Sequence, residues 1–143
     1  MKRTMFNTLK ASSTFALLAT SLFAQSGSKV IATVPFDFTV RNHQFAAGTY
    51  TVTSDLGQGT LLIRGDENGS AMFILTHGGK AGKADRNGKL VFHRYQDRYF
   101  LSEVWPGGTT CARELQPSKA ELELARTTRK PATVSLLASG SHR

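Results

Sequence analysis

The chain predicts a mainly β domain: an antiparallel sandwich or partly closed barrel of six to eight strands, with one short helix near the C-terminus. Three observations carry that expectation. Apolar and polar residues alternate from Val30 to Val40, turn residues recur between short apolar runs, and a single capping box at Ser118 and Glu121 opens the only helical run.

The N-terminus is set apart from this body. Lys2, Arg3 and Lys10 form a basic stretch without an acid, and Ala11 to Ala24 is an uncharged run of apolar and small residues. That layout is a secretory signal peptide over residues 1–24, and the run is too short to anchor a helix across a bilayer. Cleavage after Ala24 leaves a mature chain beginning Q-S-G-S-K, and cleavage after Ser21 is the alternative. No cysteine follows the apolar run, so no lipid anchor is indicated. Export to the periplasm or the medium is the expectation.

The first strand should place Val30, Ala32, Val34, Phe36, Phe38 and Val40 on one face, with Pro35 marking an edge or a bulge because it cannot donate to a ladder. R-N-H-Q (Arg41 to Gln44) turns, and Phe45 to Gly48 leads into T-Y-T-V (Thr49 to Val52). D-L-G-Q-G (Asp55 to Gly59) turns into T-L-L-I-R, and D-E-N-G (Asp66 to Gly69) into S-A-M-F-I-L-T. A Gly/Lys loop from His77 to Gly88 should follow.

The densest stretch is V-F-H-R-Y-Q-D-R-Y-F-L-S-E-V-W, Val91 to Trp105. With Gln96-Asp97 as a two-residue turn, Tyr95 pairs with Arg98, His93 with Phe100, Phe92 with Leu101 and Leu90 with Glu103. Leu90, Phe92, Tyr99, Leu101 and Trp105 then face the core. His93, Tyr95, Arg98 and Ser102 share the other face with Val91, Phe100 and Val104. This register leaves Glu103 on the apolar face. After Pro106 to Gly108 comes a loop, then the capping box and a helix from about Lys119 to about Thr128, with Leu122 and Ala125 on one face. A helix of that length is marginal alone, so it should dock, with the mixed face of the hairpin as a candidate surface. The domain is expected to span residues 25–128. Residues 129–143 form a basic tail, either frayed or a last edge strand.

Charge and cysteine content exclude several functions. The formal charge is +8, but Lys2, Arg3 and Lys10 leave with the signal, and Arg126, Arg129, Lys130 and Arg143 lie beyond the last acid. The body keeps 11 basic residues against 10 acids. A phosphate-binding domain concentrates charge on one face, so nucleic acid is not an expected partner. Cys111 is the single cysteine, which rules out an internal disulfide framework and favours a small, partly buried residue.

Local motifs add little chemistry. G-G-K-A-G-K (Gly78 to Lys83) lacks the spacing of a phosphate loop and has Ala84 where a Ser or Thr would reach magnesium. Asp66 to Gly69 lacks the spaced acids of a calcium loop, and Asn68-Gly69-Ser70 is a glycosylation sequon only in a host that glycosylates. His43, His77, His93 and His142 are scattered, so no metal site and no cofactor is expected. His93 and Ser102 are diagonal neighbours in the hairpin register. A nucleophilic pair also needs an orienting carboxylate, and Glu103 faces away while Asp97 sits in the turn.

Two resemblances follow from these stretches. F-A-A-G-T-Y-T-V (Phe45 to Val52) resembles the L-P-A-G-x-Y-x-V element of prealbumin-like β-sandwich modules in exported proteins, with Ala46 in place of the usual proline. That resemblance implies a glycine turning the chain into a strand whose tyrosine packs inward. V-P-F-D-F-T-V, A-G-T-Y-T-V, the Val91–Trp105 stretch and S-K-A-E-L-E-L-A together resemble an uncharacterised family of small exported proteins of soil bacteria. This second resemblance implies architecture and compartment and no activity. Gln96 stands where such a turn would take glycine.

The expected function is an exported, non-enzymatic binding or structural module of the cell envelope or secretome. No catalytic, metal or cofactor residue is assigned. The candidate surface patch is His93, Tyr95 and Arg98, and the partner an envelope protein or polymer. The alternative is a carrier for a small apolar ligand, with Phe36, Phe38, Phe92 and Trp105 lining a cavity. A hydrolase built on His93 and Ser102 ranks last.

Overall fold

The computed structural model describes residues 27–55, 59–67, 69–128 and 130–138. The expected signal peptide, Asn68 of the sequon, and the end of the tail from residue 139 lie outside the described residues.

The fold is mainly β with one short helix, and the described residues hold ten strands rather than six to eight. Strand β1 (Ser28–Val34) pairs antiparallel with β4 (Gly48–Asp55), β4 with β5 (Thr60–Gly65), and β5 with the first half of β6 (Ala71–Ala81). The second half of β6 pairs instead with β9 (Cys111–Leu115), so this one strand joins two half-sheets. Beyond β9 come β8 (Arg98–Trp105) and its hairpin partner β7 (Lys89–Tyr95). The short β2 (Phe38–Val40) runs parallel to β8 and forms a hairpin with β3 (His43–Phe45), while β10 (Ala132–Leu137) lies along β7. The strand path does not close on itself.

One apolar cluster draws on both half-sheets. Val30, Ala32 and Val34 from β1, Tyr50 and Val52 from β4, and Leu61 and Ile63 from β5 meet Leu90, Phe92, Leu101 and Val104 from the hairpin. The aromatic rings bridge the halves: Phe38 lies edge-on to Tyr50 at 5.0 Å and to Phe92 at 5.4 Å. Burying each such side chain is worth roughly 1.5–3 kcal/mol, which lets the domain stand without covalent staples. Tyr50 is fully buried and its hydroxyl donates to the Ala46 carbonyl at 2.6 Å, which settles its one polar group.

Several elements differ from the sequence expectation. The Val30–Val40 run is two strands, because Pro35 ends β1 and the chain crosses to the other half-sheet before β2. Both pieces keep the same inward alternation, which is why they read as one. Half of the expected Gly/Lys loop is strand. Thr76, His77 and Gly78 pair with β9, and at Gly79 a Cβ would fall 2.5 Å from the Glu114 side chain, so glycine leaves room for that side chain. Strand β9 itself replaces an expected loop. Cys111 is exposed, not partly buried. The tail segment 132–137 is an edge strand on β7, so the sheet extends past residue 128.

The hairpin turn is where it was expected, with Tyr95 opposite Arg98 and Gln96 at φ +55°. The register changes further along. Phe92 pairs with Leu101, but Val91 pairs with Glu103 and Leu90 with Val104, so Ser102 is the extra residue of a β-bulge. Past the bulge Val104 turns inward and is fully buried, while Glu103 turns out of the core. The misplaced glutamate of the regular register is thereby resolved.

Candidate functional site

Ser102, at the bulge, lies on the outer face of the hairpin beside His93 of β7. Ser102 Oγ lies 3.2 Å from His93 Nε2. On the far side of the ring, His93 Nδ1 lies 3.0 Å from Glu121 Oε1. Glu121 belongs to helix α1 (Lys119–Thr127) and is 5 % exposed. A buried carboxylate can only accept, so with Glu121 ionised Nδ1 carries a hydrogen and the neutral ring presents Nε2 as acceptor to the serine hydroxyl.

The helix is built to deliver that carboxylate. Ser118 caps it, its Oγ accepting from the Glu121 backbone N–H at 3.1 Å. Only one arm of the expected capping box is seen, since the Glu121 side chain goes to His93. The helix therefore docks through Ser118 and Glu121, both buried, while Leu122 is 49 % exposed and Ala125 also faces out. Docking by an acid rather than an apolar stripe corrects the expected Leu122/Ala125 face. The same carboxylate acts on Tyr95. Burial, and then the nearby Glu121 charge, hold the Tyr95 hydroxyl above its ordinary phenol range.

Both His93 and Ser102 line an open cleft of about 220 Å³, whose wall also includes Lys80, Glu103, Glu114, Leu115, Pro117 and Glu121. Lys80 pairs with Glu103 at 3.3 Å across its rim. Glu103 also accepts from the Trp105 indole N–H at 2.9 Å.

The residues of the expected surface patch are neighbours, with the His93 and Tyr95 rings 6.4 Å apart and Tyr95 opposite Arg98, but they differ in exposure. Arg98 is exposed and lies over the Phe100 ring at 5.3 Å, His93 is partly exposed, and Tyr95 is 4 % exposed. The outer face of the hairpin is covered, so its apolar members Tyr95, Phe100 and Val91 are buried with it. The four aromatics proposed to line a cavity are not arranged around one. Phe38 and Phe92 pack in the core, Phe36 stacks on Tyr99 at 3.8 Å, and Trp105 lines a separate open cleft under the Lys89 ammonium.

Two features were missed in the sequence. Glu121 lies 28 residues from His93, and its capping-box spacing already gave it a role. Phe73 and Leu75, two residues apart on β6, are 73 % and 70 % exposed. They border a cleft of about 370 Å³ with Met72, Arg41, His77 and Gln116. The signal was the unbroken apolar run Met72 to Leu75, which gives both faces of one strand an apolar character.

Among the described residues, no three His, Cys, Asp or Glu side chains come together at metal-binding spacing, and no helix is long and apolar enough to cross a membrane. No protein family, curated protein or solved structure matches the chain.

Proposed function

We propose that this is an exported module of the cell envelope or secretome that binds another protein through the outer face of β6. The observation that carries the reading is the Phe73–Leu75 pair. Two large apolar side chains side by side on one strand face, mostly exposed, are a costly surface for a protein to keep unless something covers them. Arg41 and His77 flank the pair, so a partner offering apolar side chains with an acidic border fits best. The basic and apolar N-terminal segment supports export, and the resemblance to small exported proteins supports the same compartment. The meeting of both half-sheets in one core supports a two-layer sandwich. The packed aromatics weigh against a ligand carrier.

The test is capture from envelope extract by the mature protein and by a Phe73→Asp, Leu75→Asp double variant, at low and high salt. A partner held by the wild type at both salts and lost from the double variant is expected. Equal capture by both proteins, or capture abolished by salt alone, would overturn this surface as the binding site.

A further inference from the structure

The cleft beside the hairpin carries an inference that goes beyond binding. Ser102, His93 and Glu121 form an unbroken hydrogen-bonded row of hydroxyl, imidazole and carboxylate, at 3.2 Å and 3.0 Å. These are the roles of a nucleophile, a general base and the group that fixes the base's tautomer. Three separate elements converge to make the row: β7 carries His93, β8 carries Ser102 and α1 carries Glu121. At the bulge Ser102 and Glu103 both line this cleft, and bulges recur next to active sites. The hydroxyl and the imidazole also line the same open cleft, so a small molecule there meets both.

We propose that Ser102 is a nucleophile that accepts acyl groups from small activated esters, with His93 as its base and Glu121 as a positioning residue. Ser102 Oγ attacks the ester carbonyl carbon as its proton passes to His93 Nε2. The bond from that carbon to the leaving oxygen breaks, and His93 returns the proton to the departing alkoxide. The acyl group remains on Ser102. A water then attacks the acyl carbonyl, giving its proton to His93, and the bond to Ser102 breaks with return of the proton to the serine oxygen. Acid and alcohol are the products, and no other reactant is needed.

The cleft also sets the class of ester. Glu103, Glu114 and Glu121 line it against one ammonium, Lys80, so esters bearing a carboxylate are disfavoured and neutral or cationic ones preferred. Ser102 sits within a strand rather than on a strand-to-helix elbow. That setting limits the chemistry to esters with good leaving groups, where less charge must be stabilised on the carbonyl oxygen.

The experiment incubates the protein with neutral p-nitrophenyl acetate and with a neutral fluorophosphonate ester, reading intact mass and then the modified peptide. One adduct on Ser102 is expected in the wild type and none in Ser102→Ala. His93→Ala should label at least about a hundredfold more slowly. Glu121→Gln should slow labelling about tenfold and move its pH profile, which a purely structural tether would not do. A succinyl ester should react more slowly than the acetyl ester. Absence of an adduct, or an adduct on lysine or tyrosine, overturns the proposal, as does equal labelling of Ser102→Ala. The wild-type peptide map decides even if His93→Ala fails to fold.

Discussion

One face of the β7–β8 hairpin buries Leu90, Phe92, Leu101 and Val104 against the opposite half-sheet, while the other buries Tyr95, Phe100 and Ser102 on the side where Glu121 of the helix reaches His93. Both faces bury side chains, yet they are held differently. The inner face depends on area and shape, with rings and branched chains that need no specific partner. The outer face depends on a short row of directed polar contacts, each useful only while its neighbour is present. Burial by area tolerates small shifts and resists losses of volume. Burial by hydrogen bonds tolerates lost volume but fails when one partner is removed, because the other is left dry and unpaired.

The contrast can be broken from either side, starting with the largest effect. Phe92→Ala removes a fully buried ring that touches Phe36 and Phe38, and should lower the unfolding free energy by about 3–5 kcal/mol in a denaturant titration. A loss below about 1 kcal/mol would mean that the inner face is not the main support of the fold. His93→Ala removes little core area but strands the buried Glu121 carboxylate. It should cost about 1–3 kcal/mol, and Glu121→Ala in the same background should recover part of that loss. Strictly additive losses would mean that the two side chains are not coupled.

Ser118→Ala tests how the helix is held. Loss of the cap on Glu121 N–H should cost about 1 kcal/mol, and by loosening the helix start it should also increase hydrogen exchange at residues 119–122. The smallest effect at neutral pH is that of Tyr95→Phe. The Tyr95 hydroxyl titrates above its ordinary value in the folded chain, so folding favours its protonated form. Its contribution is complete below the unfolded phenol value of about 10 and is lost as pH rises through the higher folded value. The wild type should therefore lose stability in that alkaline window, and Tyr95→Phe should lose less. Parallel pH curves for the two proteins would show that the phenol is not sensed by this face.

How much of this could be read from the residues differs between the two faces. The inner face was legible because apolar residues recur at every second position in Val30 to Val34 and Thr60 to Gly65, and burial follows that alternation. The turn at Gln96-Asp97 was legible from its place between two apolar runs. The bulge was half-legible. Leu101 and Val104 are both inward with two polar residues between them, and that spacing is what an extra residue on one strand produces. A regular register forced Glu103 inward, and that misfit was the clue.

The outer face was not legible in the same way. Period and propensity describe neighbours along the chain, whereas the His93–Glu121 contact joins a strand to a helix across 28 residues. The residue types at positions 93, 102 and 121 were all visible, but nothing local states that helix α1 brings Glu121 to His93 of β7. Glu121 also had a sufficient local explanation as the second half of a capping box, of which the structure keeps the Ser118 half. Strand β9 was missed for a related reason. C-A-R-E-L buries Ala112 and Leu115, three residues apart, so it shows no period-two signal. Gly78 and Gly79 in its partner strand read as loop, although at Gly79 the Glu114 side chain lies where a Cβ would go.

The row from Glu121 through His93 to Ser102 is the centre of this account, and the position of one hydrogen tests it most directly. A nitrogen–proton spectrum of the imidazole rings, with His93 assigned by its loss in His93→Asn, reports which ring nitrogen carries the hydrogen in the neutral form. The expected result is a persistent Nδ1–H signal, strongly downfield, with Nε2 bare and accepting from Ser102. Glu121→Gln should weaken that signal. A neutral His93 protonated on Nε2, or one averaging between tautomers as a free imidazole does, would contradict it.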